Sequence, residues 1–70
     1  MVSAPELKNY VGQKIRIDVQ GRIVEGTLVG YDMFLNLNLQ SAVERDHKEI
    51  VALGQCVIRG SSVVSIEMVQ

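Results

Sequence analysis

The sequence is short of most things that stabilise or functionalise a small domain. Its 70 residues contain no Trp, one Phe, one Pro, one Cys and one His. A single Cys excludes an internal disulfide, and the lack of a Cys/His cluster excludes a structural zinc. No long apolar run is present: stretches such as Ile50-Val51-Ala52-Leu53 fall far short of the ~20 residues a spanning helix needs. Met1-Val2-Ser3-Ala4-Pro5-Glu6 has neither a basic nor an apolar region of the kind that opens a secretory signal. The free Cys and the absence of an N-x-[ST] acceptor fit an intracellular setting. Positive charge is scarce too. Seven Lys and Arg against eight Asp and Glu give a net charge of −1, whereas a stand-alone nucleic-acid binder is usually basic.

What is present is 47% hydrophobic residues, enough for one small core. A domain of this length has a thin stability margin, and with disulfide and zinc excluded, oligomerisation is the remaining reinforcement. Ser3 and Glu6 match a capping box, Pro5 suits a first turn, and Leu7, Tyr10 and Val11 follow at helical spacing before Gly12. A short helix over 4–11 is expected. From there the chain reads as strand. Ile15, Ile17 and Val19 alternate with polar residues up to a turn at Gly21-Arg22. The strand from Ile23 to Tyr31 carries Gly26 and Gly30, which mark bulges or bends. After a turn at Asp32-Met33, Leu35, Leu37 and Leu39 alternate with Phe34, Asn36 and Asn38. The charged run Glu44 to Glu49 reads as a loop, Ile50 to Ile58 as a strand, Arg59-Gly60 as a turn, and Val63 to Val69 as the last strand. The fold class is mainly β: a short N-terminal α-helix, then five strongly bent antiparallel strands in an SH3-like open barrel, one domain over 1–70.

Enzyme readings find no constellation. His47 lies in a charged stretch and Cys56 in an apolar strand, where a free Cys behaves as a small hydrophobe. Gly21, Gly26 and Gly30 lack the spacing and the following helix of a phosphate-binding loop. No catalytic residue, metal or cofactor is expected. Two segments are more informative. If Leu35 points inward, Phe34 and Asn36 point outward, giving an aromatic that can stack on a base beside an amide that can read its edge. Arg59, in a turn with Gly60, can stack or hold a phosphate. The plain alternatives stand beside these: Phe34 as a core aromatic, Asn36 bracing a turn, Arg59 as a solvated charge.

At these residues the chain resembles the Sm/LSm family. Gly21, Gly26, Tyr31-Asp32, Phe34 and Asn36 fit the first Sm motif, over about 15–39. Ile58-Arg59-Gly60 and Val63-Val64 fit the second, over about 54–69. The resemblance implies an Sm fold and a ring subunit whose fourth strand pairs with the fifth strand of the next subunit. It implies that Phe34, Asn36, Arg59 and Gly60 contact RNA while Asp32 braces their loop. The implied role is that of one subunit in a heteroheptameric ring on single-stranded, uridine-rich RNA of spliceosomal ribonucleoproteins. Such a protein works in the nucleus after a cytoplasmic assembly stage. An LSm ring acting on U6-type RNA or in mRNA decay is the neighbouring reading. A protein–protein scaffold without RNA contact is the reading of another class. No membrane and no small-molecule substrate are implied.

Overall fold

A computed structural model describes residues 7–69. The capping box at Ser3, Pro5 and Glu6 lies outside them. Within them the expected helix is a single 3-10 turn, Leu7–Tyr10, not an α-helix. Its tie to the sheet explains the early stop. Gly12, at φ 85°, donates its N–H to Leu28 O (2.8 Å), and Gln13 O accepts from Leu28 N (3.0 Å). The chain is therefore already bound to the sheet before a second helical turn could form.

Five strands follow: β1 (Lys14–Val19), β2 (Arg22–Tyr31), β3 (Leu37–Arg45), β4 (Ile50–Ile58) and β5 (Ser65–Met68). All pairings are antiparallel and the spatial order is β4-β3-β2-β1-β5. Among the described residues the sheet is thus open, with β4 pairing only β3 and β5 pairing only β1. Ile15 and Ile17 are fully buried while Arg16 faces away, as the alternation requires. Together with Leu28, Leu37 and Leu39 they form the centre of a small core, closed by Leu7, Val24, Ala42 and Val63.

The bends fall where the glycines lie. The β2–β3 register shifts between Glu25 and Thr27 and again between Leu28 and Gly30. At Gly26 a Cβ would meet Ala42 Cα at 3.1 Å and Gln40 O at 3.2 Å, so the two backbones approach more closely than a side chain there would ordinarily allow. The partner strand bends as well: Ser41 takes a left-handed φ of 53° between the shifted pairs Leu39/Cys56 and Ala42/Gly54.

Several boundaries differ from the sequence reading. The first hairpin turn is Gln20-Gly21 rather than Gly21-Arg22. Both residues take positive φ (54° and 93°), the geometry of a twist-matched two-residue hairpin, with Asp18 Oδ1 accepting from Gly21 N at 2.9 Å. Arg22 therefore opens β2, opposite Val19. Glu44 and Arg45 belong to β3, and the loop is only 46–49, folded on Asp46 Oδ1, which accepts from Lys48 N and Glu49 N. The last strand shortens to Ser65–Met68 because Gly60–Ser62 coils into a second 3-10 turn, with Val63 N bonded to Gly60 O.

One charge is buried among these elements. Glu25 is 2% exposed, and both its oxygens are used: Arg16 Nε donates to Oε2 (2.8 Å) and Arg45 Nε to Oε1 (2.9 Å). Arg16 also bonds Glu67 (3.1 Å), so alternating charges cross β5, β1, β2 and β3. Two guanidinium partners are what make a buried carboxylate tolerable.

Candidate RNA interface

Register brings the two informative segments together. Leu37 pairs with Tyr31 on one side and with Ile58 on the other. The end of β2, the start of β3 and the end of β4 therefore lie side by side. The turn after β2 (32–36) and the turn after β4 (59–62) must emerge at the same end of the sheet.

The first turn is built on Asp32. Its Oδ1 accepts from the N–H of Phe34 (2.9 Å) and of Asn36 (3.0 Å), and its Oδ2 accepts from Asn36 Nδ2 (3.0 Å). Asp32 O accepts from Leu35 N, and Asp32 N donates to Asn36 O. The Asn36 N–H groups, with that of Phe34, hold the Asp32 carboxyl below the usual aspartate range. This knot forces Leu35 into a left-handed φ of 61°. Phe34 and Asn36 are consequently not successive outward residues of a strand: β3 begins only at Leu37. They still arrive on one side, because the turn rather than strand alternation places them. Phe34 is 74% exposed and is no core aromatic.

The second turn locks onto the first. Gly60 N donates to Asn36 Oδ1 at 2.9 Å. Gly60 is buried, and a Cβ there would sit 2.7 Å from Leu35 O and closer still to Phe34 O. Its missing side chain serves the contact between the two turns. Arg59 projects beside it. Arg16 and Arg45 are tied to Glu25, and Arg22 is bidentate to Glu44. Arg59 is the arginine left without an acidic partner among the described residues.

Phe34, Asn36, Arg59 and Gly60 line one cavity of about 590 Å³. Met33, Leu35 and Ser61 line it too; the sequence reading put Met33 in a turn and Leu35 inward and assigned none of the three a ligand contact. The signal available for Met33 and Ser61 was adjacency to Phe34 and Gly60. A second hollow of about 390 Å³ lies at the other end of β2 and β3, by Arg22, Arg45 and His47. Its arginines are already neutralised by Glu44 and Glu25. His47 and Cys56 form no dyad: Cys56 lies opposite Leu39 within the sheet, where burial pushes its thiol pKa up. No cluster of metal-ligating side chains occurs among the described residues.

Comparison with known proteins gives the same picture. Residues 5–68 match the family model of the LSM domain. The chain is 49% identical to small nuclear ribonucleoprotein G of Saccharomyces cerevisiae, over 96% of this chain and 94% of that protein. Its fold superposes on a heptameric archaeal Sm protein with a TM-score of 0.87, at 25% identity, covering 96% of this chain and all of that one. It superposes equally on the Sm protein of Pyrococcus abyssii solved in complex with a uridine heptamer, with a TM-score of 0.85, at 28% identity and the same coverage. With the family model spanning both turns and all five strands, the chain belongs to the LSM domain family.

Proposed function

We propose that this chain is a subunit of a heteroheptameric Sm ring that binds single-stranded, uridine-rich RNA in spliceosomal ribonucleoproteins, with Phe34, Asn36, Arg59 and Gly60 forming its nucleotide site. The whole chain is read as one Sm domain. The observation that carries the reading is the fixed amide of Asn36, set in one cavity with an exposed Phe34 and an unpaired Arg59.

The chemistry follows from what holds that amide. Asp32 can only accept, so Nδ2 must face it. Gly60 N–H can only donate, so Oδ1 must face it. The amide cannot flip. It has one N–H and one oxygen lone pair left for a ligand. Uracil offers the O4 acceptor and an N3–H donor, which an amide in fixed orientation meets on both counts. Cytosine presents an amino donor and a ring acceptor in the same places, so both contacts become mismatches. Phe34 supplies a stacking face, and Arg59 supplies a planar cation for the base or its phosphate. Asp32 sets the geometry without touching RNA. Asp32→Ala is expected to narrow the preference for uridine over cytidine oligonucleotides by about 5–10-fold, the cost of one lost hydrogen bond, in parallel affinity measurements.

The open sheet supports the assembly. β4 and β5 each leave one backbone edge unpaired, and pairing β4 of one subunit with β5 of the next would satisfy both. Similarity to proteins named small nuclear ribonucleoprotein G supports the spliceosomal assignment and a nuclear site of action; a cytoplasmic stage of assembly is part of the proposal. The chain is read as a binding subunit rather than an enzyme: a thiol whose pKa is raised by burial is the reverse of an activated nucleophile.

The test is a ring reconstituted with its partner subunits and titrated with a uridine-rich oligonucleotide. Stacking on an aromatic is worth ~1–3 kcal/mol per base. Phe34→Ala and Arg59→Ala should each weaken binding by about 5–100-fold while the ring stays intact by mass measurement. Wild-type affinity in both variants overturns the site. Loss of the ring in both assigns these residues to structure and favours the scaffold reading.

A further inference from the structure

Met33 is the most exposed large apolar side chain described, at 87%. It lines the same cavity as Phe34, Asn36 and Arg59, and it sits one residue before Phe34 at the tip of the turn knotted by Asp32. That turn is braced throughout: the backbone N–H groups of Asp32, Phe34, Leu35 and Asn36 and the side-chain amide of Asn36 all donate within it. The position of Met33 relative to Phe34 is thus set, while its unbranched side chain is free to move. Nothing in the core needs it, since the packed residues around Leu37 and Leu35 do not include it.

A long, flexible, polarisable thioether at the lip of an aromatic site has a definite use. Phe34 covers one face of a stacked base and Arg59 stands by the neighbouring turn. The outer margin of the base stays wet unless something apolar folds over it. Met33 is the side chain placed to do so, and sulfur packs favourably against the edges of aromatic rings. We infer that Met33 is a further base-contacting residue, closing its thioether over the outer edge of the nucleobase held at Phe34. This rests on the reading of the cavity as a nucleobase site.

The experiment uses the assembled ring and a uridine-rich oligonucleotide, with Phe34→Ala as the internal reference. Removing the apolar cover returns the base margin to water, so Met33→Ala should weaken binding roughly 2–10-fold. Met33→Leu, which keeps the apolar bulk, should bind within about twofold of wild type by the same measure. Met33→Gln, of similar length but polar, should behave like the alanine variant. Peroxide provides the same change in place. It transfers one oxygen atom to the thioether sulfur, giving a sulfoxide and water. Peroxide-treated wild-type ring should lose affinity as Met33→Gln does. Treated Met33→Leu ring should not, which separates Met33 from oxidation at Cys56 or Met68. If Met33→Ala binds as wild type while Phe34→Ala is impaired, the inference is overturned and the site stands. If Phe34→Ala is also unimpaired, the inference fails together with the site.

Discussion

Gly60→Ala should unlock the whole end of the protein that carries the proposed nucleotide site. The added methyl group would lie 2.7 Å from Leu35 O and still nearer Phe34 O. Both obstacles are backbone atoms of a turn already braced by Asp32, so no rotamer change relieves the clash. The two turns must separate, and the bond from Gly60 N to Asn36 Oδ1 is lost with them. Overpacking of this kind costs ~1–3 kcal/mol and a lost, part-buried hydrogen bond ~1 more. The expected destabilisation is about 2–4 kcal/mol, a fall in thermal midpoint on the order of 10–20 °C for a chain of this size. The affinity of the ring for uridine-rich RNA should fall by more than for Phe34→Ala. Asn36 loses one of the two bonds that orient its amide, and Arg59 loses its place at once. Thermal scans and oligonucleotide titrations of one preparation would check both. An unchanged midpoint would show that the close approach at Gly60 is easily relaxed.

The second large effect concerns Glu25, far from that cavity. Glu25→Ala removes the carboxylate that neutralises Arg16 and Arg45 and opens a hole where a 2% exposed side chain stood. Breaking a buried pair by removing one partner costs about 3–5 kcal/mol. The two arginines are roughly half-exposed and regain water, so the lower end applies: about 3 kcal/mol by denaturant titration. Acid should do reversibly what the substitution does permanently. The hydrogen bond from Arg16 is the foremost cause holding the Glu25 carboxyl below the ordinary glutamate value of 4.5. A carboxyl whose folded-state pKa is depressed contributes its stability fully above the unfolded value. That contribution is lost as pH falls through the folded one. Stability from this source is therefore constant at neutral pH and declines as pH falls from the ordinary glutamate value through the depressed folded one. Glu25→Gln should flatten that decline. An equally steep acid limb in Glu25→Gln would place the sensitivity elsewhere, at Asp32 or Asp46, whose carboxyls are also held low.

How much of this was legible in the sequence varies with the range of the interaction that decides each feature. Ile15 and Ile17 announced their burial because strand alternation is local and strict. Gly26 announced a bend, and the sheet supplied the cause, the close approach of Ala42. The first hairpin was off by one residue because Gln20 accepts a left-handed conformation that composition assigns to glycine alone. Phe34 and Asn36 were placed on one side for the wrong reason. Strand alternation was invoked, but a turn braced by one carboxylate does it. Asn36 posed a choice between reading a base and bracing a turn. Its side chain does brace, to Asp32 and Gly60, and the bracing leaves one donor and one acceptor for a ligand. Gly60 could be flagged as a turn glycine, but its clash partners are more than 20 residues away and invisible to local reading. β4 misled most. Ile50, Val51, Leu53 and Val57 look like a buried strand, yet all are exposed because the sheet ends there. A single chain cannot say what its own edge is meant to meet.

The two unpaired edges are different surfaces, a nine-residue β4 and a four-residue β5, on opposite sides of an open sheet. Contact between them is heterologous, so each subunit added head to tail presents the same free edge it has just consumed. Such growth has no natural terminus. It stops only if the rotation at each junction closes the circle, and otherwise it continues as a filament. The angle is set by the bends at Gly26, Gly30 and Ser41, which fix how β4 stands relative to β5. Residues that lie on neither free edge therefore determine whether the polymer is finite.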